Sequence, residues 1–169
     1  MPSEFPEPTD ARGDRGDVLV GYLDFFRERV VEKLRELPAA GTTRSGVPSG
    51  WSPLELAHHL RHVERRWLEW GFLGAAIDDP WADERDGRWA VPDGAGLEDV
   101  VAELRAQGER SRAVVAAHAL EEVGQPGPRW RGAPPATLER ILLHLVQEYA
   151  RHLGHLDVVV ELATGAAGE

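Results

Sequence analysis

The sequence predicts an all-α fold, a bundle of four helices. Four segments repeat apolar residues at helical spacing, no stretch alternates as a convincing strand would, and Gly- and Pro-rich stretches separate the four. At 169 residues the chain sets a single domain and can bury a substantial core without metal or disulfide staples.

Residues 1–16 are rich in Pro, Gly and charge and cannot bury enough apolar surface to offset their ordering entropy, so they read as a disordered leader before a domain over 17–163 and a flexible tail over 164–169. The first helix is expected over 17–37, with Leu19, Tyr22, Leu23, Phe26, Val30, Leu34 and Leu37 as its stripe, Asp17 as N-cap and Pro38 as stop. A loop over 41–50 follows, long enough for a crossover. The second helix, 52–71, has the clearest start: Ser52 at the N-cap, Pro53 at the first helical position and Glu55 completing a capping box. Residues 78–96 carry Asp79-Pro80, Asp86-Gly87 and Pro92-Asp93-Gly94 and read as a long loop with one short helical turn around Trp81. Long loops of this kind often cover sites. A third helix is expected over 96–122, with Leu97, Val100, Val101, Leu104, Val114, Val115 and Leu120 as its apolar positions, and Gly124-Gln125-Pro126-Gly127-Pro128 ends it. The fourth spans 136–162 and turns Leu138, Ile141, Leu142, Leu145, Tyr149, Leu156, Val159 and Val160 inward.

Composition excludes several functions. A net charge of -10, with Arg interleaved among Glu and Asp, argues against a nucleic-acid partner, because phosphate recognition needs clustered Lys and Arg. Without cysteine there is no disulfide framework, thiolate zinc site or cysteine nucleophile; any thiol chemistry must use a thiol from elsewhere. Neither a signal peptide nor a membrane span is expected, so the protein reads as cytoplasmic.

Helical phase selects among the seven histidines. In the second helix Leu56, Leu60, Val63 and Trp67 define the stripe; His59 lies roughly 60° to one side, while His58 and His62 project well away from it. In the fourth helix His152 falls almost at the centre of the stripe, with Glu148 one turn earlier and roughly 60° off. A Glu so close to a buried face needs a cation or metal as partner. His59, Glu148 and His152 are therefore the candidate metal ligands, since two imidazoles and a carboxylate suit a divalent transition metal with open positions. His144 and His155, farther round the same flank, are candidates for a second shell or rim. The plainer alternative stays open: a single His on an apolar face is more often a hydrogen-bonded core residue, and a Glu at a stripe edge usually snorkels to water. Trp67 reads as core, and the other tryptophans as loop packing.

Ser-Gly-Val-Pro-Ser-Gly-Trp-Ser-Pro-Leu-Glu-Leu at 45–56, His-Leu-x-x-Val-Glu-x-x-Trp at 59–67 and Glu-Tyr-Ala-Arg-His-Leu-Gly-His-Leu-Asp at 148–157 resemble the DinB-like superfamily. They are most similar to its actinobacterial branch of domains related to mycothiol-dependent maleylpyruvate isomerase. The resemblance implies an antiparallel four-helix bundle with a long crossover between helices two and three, and a divalent metal held between helices two and four. The superfamily's three-histidine pattern maps onto His59, Glu148 and His152, with Glu in place of the usual His. Zinc comes first, but nickel, manganese and iron suit the same set. The implied activity is metal-dependent activation of a low-molecular-weight thiol for S-transfer to, or isomerisation of, a small electrophile, with Arg151 or the 78–96 loop holding substrate carboxylates. Metal-dependent hydrolysis and a non-catalytic metal- or small-molecule-binding bundle are the rivals, and homodimerisation is a further implication.

Overall fold

A computed structural model describes residues 5–11 and 13–165. The protein is mostly helical, as expected. Its first long helix, α1 (Arg15–Glu36), starts earlier than expected because Asp14, not Asp17, is the N-cap: the Asp14 carboxylate accepts from Asp17 N at 3.1 Å while Asp14 N donates back to the Asp17 carboxylate at 3.2 Å. Two Asp residues three apart form a reciprocal capping box, so the upstream one takes the cap. Of the expected leader, residues 1–4 and 12 lie outside the described residues; Phe5 meets Phe25 edge-on at 5.1 Å, and α1 begins within it. Residues 166–169 of the expected tail also lie outside the described residues.

A single helical turn, α2 (Ala39–Thr42), interrupts the first connection. Then α3 (Pro53–Arg65) opens with the expected capping box: Ser52 N donates to Glu55 Oε2 at 2.6 Å, and Glu55 N donates to Ser52 Oγ at 3.3 Å. The expected second helix does not continue as α-helix, because Arg66–Phe72 is wound as a wider π-helix, a form that recurs at functional sites.

The 78–96 loop is more ordered than its composition suggested. Around Trp81 it makes a turn, in which Glu84 N donates to Trp81 O at 2.8 Å, and not a helix. It then forms a small antiparallel hairpin, β1 (Glu84–Arg85) with β2 (Arg88–Trp89). Asp86 and Gly87, both at positive φ (54° and 74°), are the two central turn residues, which is the conformation Asp-Gly favours. The third long helix, α4 (Leu97–Ala117), ends five residues before the expected boundary. Residues 120–124 instead bond to the chain entering the last helix, with Leu138 N donating to Glu122 O at 3.0 Å and Gly124 N to Ala136 O at 3.0 Å. Finally α5 (Leu138–Thr164), capped by Thr137 and closed by Gly165 at φ 75°, buries the inward residues expected of it.

The helices pack so that α1 lies against α5 and α4, and α3 against α4 and α5. Leu23, Val30, Leu34, Leu56, Leu60, Leu68, Leu104, Leu145 and Leu156 fill the space between them. Trp67 is only half-buried; Leu68 takes the core place expected of it. One polar cluster is buried in this core: Glu64 of α3 accepts from Arg27 of α1 (Nε 3.2 Å, Nη2 3.0 Å), from Ser111 Oγ of α4 and from Tyr149 Oη of α5. Gly108 of α4 gives the Arg27 guanidinium its room, since a Cβ there would stand 2.6 Å from it. Among the described residues no helix is long and apolar enough to cross a membrane.

Candidate metal centre

His59 of α3 and His152 of α5 face one another across the gap between their helices, with ring centroids 5.4 Å apart and ring planes at 74°. His152 is 5% exposed, and its Nδ1 has no hydrogen-bond partner among the described residues. Burial first, then the neighbouring His59, Arg151 and His155, hold it at about 4, so its imidazole is neutral at pH 7. Glu148, one turn earlier, brings Oε2 to 3.4 Å from His152 Nε2 and Oε1 to 3.6 Å from His144 Nε2. Both contacts are loose for charge-assisted hydrogen bonds.

His59 is anchored by the 78–96 loop. Its Nδ1 lies 2.8 Å from Oδ2 of Asp83, and its ring stacks on Trp89 at 4.1 Å and 19°. Asp83 is fully buried and shared with Arg66, whose Nη2 donates to Oδ2 at 3.1 Å and whose Nη1 bonds Oδ1. Burial alone would raise Asp83, but hydrogen bonds from His59 and Arg66, with the Arg66 charge, hold its carboxyl well below the usual carboxylate range. Arg66 also donates to Pro80 O at 3.1 Å and lies over the Trp81 ring at 4.4 Å. The 78–96 loop is thereby tied to the start of the π-helix.

The three expected ligands line one pocket of about 530 Å³ with Trp51, Trp89, Arg151 and His155, and Val47 and Val158 complete an apolar wall. His155 forms part of the rim, 5.6 Å from the His152 ring and 6.4 Å from Trp51. His144 does not line the pocket; it stands behind Glu148, edge-on to Trp67 at 4.7 Å. Arg151 is exposed and has no carboxylate partner among the described residues. Among the described residues no three His, Asp or Glu side chains stand close enough around one point to hold a metal as they lie. His59, Glu148 and His152 thus share a pocket without being drawn together. A depression of about 620 Å³ between the start of α1 and the end of α4 is larger, but its arginines, Arg15 and Arg112, are already paired with Glu121 and Asp24.

Burial does not separate His59 from its neighbours as phase predicted. His58 and His62 are 2% and 1% exposed, more deeply buried than His59, and their rings meet at 4.6 Å. The reason is geometric: α3 packs against both α4 and α5, so more than one of its faces is inward. What singles out His59 is the pocket. Sequence reading also missed Asp83, Arg66 and Trp89. Nothing periodic marks the two loop residues, whereas Arg66 stands seven residues after His59, close to its helical phase. Glu64, one turn beyond Leu60, lies about as far from the centre of the stripe as His59 does, on its other side, and carried a comparable signal.

A sequence model of the mycothiol-S-transferase family matches residues 18–165. No curated protein matches the chain.

Proposed function

Because the chain belongs to the mycothiol-S-transferase family, we propose that the pocket between α3 and α5 transfers a low-molecular-weight thiol of the mycothiol class to a small electrophile, with a divalent metal held by His59, Glu148 and His152. The observation that carries the reading is the pairing of a buried, neutral His152 with a loosely held Glu148 in one pocket with His59. The donor set fits such an ion. Neutral imidazole is the form that ligates, and Glu148 contacts its histidine neighbours at 3.4 and 3.6 Å, so it keeps the freedom to turn onto a cation. Zinc is the first choice, with nickel, manganese and ferrous iron compatible with two His and one carboxylate.

A bound divalent metal lowers the pKa of a thiol and so supplies thiolate near neutral pH. The absence of cysteine from the chain is consistent with an exogenous thiol. In the transfer the thiol gives up its proton to solvent, sulfur forms a bond to the electrophilic carbon, and the bond from that carbon to the leaving group breaks with its electron pair going to the leaving group. The residues of the chain supply position and environment. Trp51, Trp89, Val47 and Val158 present apolar surface to the electrophile and restrict water, while Arg151, with no carboxylate partner among the described residues, offers its guanidinium to an anionic group on it. The reading includes the antiparallel four-helix bundle with a long crossover after the second long helix. It is supported by the packing of α1 and α3 each against both α4 and α5, and by the 24-residue connection from 73 to 96.

The test is metal analysis of the purified protein, with turnover of a fluorogenic bimane electrophile in the presence and absence of mycothiol. Wild type is expected to hold one divalent ion per chain and to form the thioether only with the thiol. His59→Ala and His152→Ala are expected to lose both. Full metal content in these variants sinks the proposed ligands, and product formed equally well without thiol points to hydrolysis instead.

A further inference from the structure

The pocket is completed by a loop that donates no proposed ligand, and the way it grips His59 has a chemical consequence. Asp83 is fully buried, and the Arg66 fork donates to both of its oxygens. Guanidinium has no acceptor, so both oxygens act there as acceptors. The contact between Asp83 Oδ2 and His59 Nδ1, at 2.8 Å, needs a hydrogen, and the imidazole is the partner that can supply it. Trp89 of the same loop lies flat against the ring at 19° and fixes its plane, so the ring is held at one edge and one face. We propose that Asp83 is a positioning residue for His59: it accepts the hydrogen on Nδ1 and so leaves Nε2 as the ring nitrogen turned to the pocket to donate an electron pair.

Tautomer choice is set by the bond that the second ring nitrogen makes, and a carboxylate there also raises the basicity of the first. Arg66 makes the arrangement rigid. It bonds Pro80 O, lies over Trp81 and holds Asp83, so the loop cannot leave without stripping His59 of its partner and exposing two buried charges to each other's loss. The 78–96 loop is then part of the site rather than a cover over it, which explains why residues so far from the ligands in sequence are buried against them. The consequence for metal affinity rests on the function proposed above; the tautomer itself does not.

The experiment uses the full chain, labelled with 15N and freed of metal by chelation. Long-range 1H–15N correlation through the imidazole protons reports which nitrogen carries the proton, and the His59 signals are identified by their loss in His59→Gln. The expected result for wild type is His59 protonated at Nδ1. In Asp83→Asn the amide oxygen is expected to stay with the Arg66 fork and the amide nitrogen to face His59 as a donor, which moves the proton to Nε2, the inversion known for an Asp→Asn change behind a catalytic histidine. Zinc affinity, measured by competition with a chromophoric chelator, is expected to fall ten- to hundredfold in that variant. Glu148→Gln is expected to weaken zinc binding while leaving the His59 tautomer as in wild type, a separation that a merely structural role for Asp83 would not produce. A wild-type His59 carrying its proton on Nε2 overturns the inference, whether or not Asp83→Asn folds; so does an Asp83→Asn protein with unchanged tautomer and unchanged zinc affinity. If wild type shows the Nδ1 proton but binds no zinc, the positioning stands and the metal reading fails.

Discussion

Two glutamates on neighbouring turns of the same helix pair have opposite surroundings. Glu64 is fully buried and saturated: Arg27 grips both of its oxygens, and Ser111 and Tyr149 donate to it from two further helices. Glu148, adjacent to Tyr149 in sequence, is 17% exposed, and its side-chain contacts to His144 and His152 are looser than 3.3 Å. A carboxylate whose lone pairs are all met by the protein holds the fold, whereas one left with spare capacity at the wall of a pocket is available to something that enters. Both carboxylates are buried enough to need partners, and among the described residues Glu64 has close hydrogen bonds while Glu148 has only the two looser histidine contacts.

The hardest test of that contrast is Glu64→Ala. Among the described residues it leaves Arg27, 3% exposed, with Asp24 at 2.6 Å as its one remaining paired carboxylate. Breaking a buried pair by removing one partner typically costs about 3–5 kcal/mol, against a total stability on the order of 5–15 kcal/mol. Urea denaturation should show a loss of this size, and a change under about 1 kcal/mol would mean the network contributes little to the fold. Tyr149→Phe removes one donor and keeps the ring. Burial, and then Glu64, push the phenol well above its ordinary value, so it serves only as an O–H donor, and its loss should cost about 1–3 kcal/mol in the same measurement.

The pH dependence separates the saturated core from the pocket in another way. Burial, then the Arg61 charge, lower His62 from 6.5 to about 3. The native ring is therefore neutral where the unfolded one is protonated, so stability is intact above about pH 6.5 and falls as pH drops from there toward about 3. The slope this residue adds is at most about 1.4 kcal/mol per pH unit. In metal-free protein His62→Gln should flatten the curve of unfolding free energy against pH within that window. An unchanged slope would show that His62 is not held neutral by the fold.

How much of this was legible in sequence follows from periodicity. Along α5 the stripe from Leu138 to Val160 is long and regular, so phase placed Tyr149 and His152 inward and Glu148 at the edge, and the structure buries them accordingly. On α3 the same reasoning assumed one buried face. The helix has more than one, and His58 and His62 are buried away from the stripe. Asp83 and Trp89 lie in a loop with no period, where position depends on the Arg66 contact and on the Asp86-Gly87 turn that folds the hairpin back. The turn chemistry was visible as a loop signal, but what it would bring against His59 depended on contacts made only in the folded chain. Asp14 and Asp17 show a smaller ambiguity, since two acidic residues three apart can each be read as the cap until the backbone decides.

The smallest stability effect is expected at Glu148, and it is the one that most directly probes the comparison. Glu148→Gln keeps the shape of the side chain, breaks no hydrogen bond of normal length, and removes a partly buried negative charge beside a ring that is neutral at pH 7. Unfolding free energy should change by less than about 1 kcal/mol, in either direction, because residues kept for function are seldom optimal for stability. Metal content should fall sharply in the same protein. A large destabilisation with metal content unchanged would make Glu148 a second Glu64, a carboxylate held for the fold, and the distinction between the two sites would dissolve. Little change in stability with loss of the metal would show that a carboxylate one residue from Tyr149 is kept for what binds in the pocket.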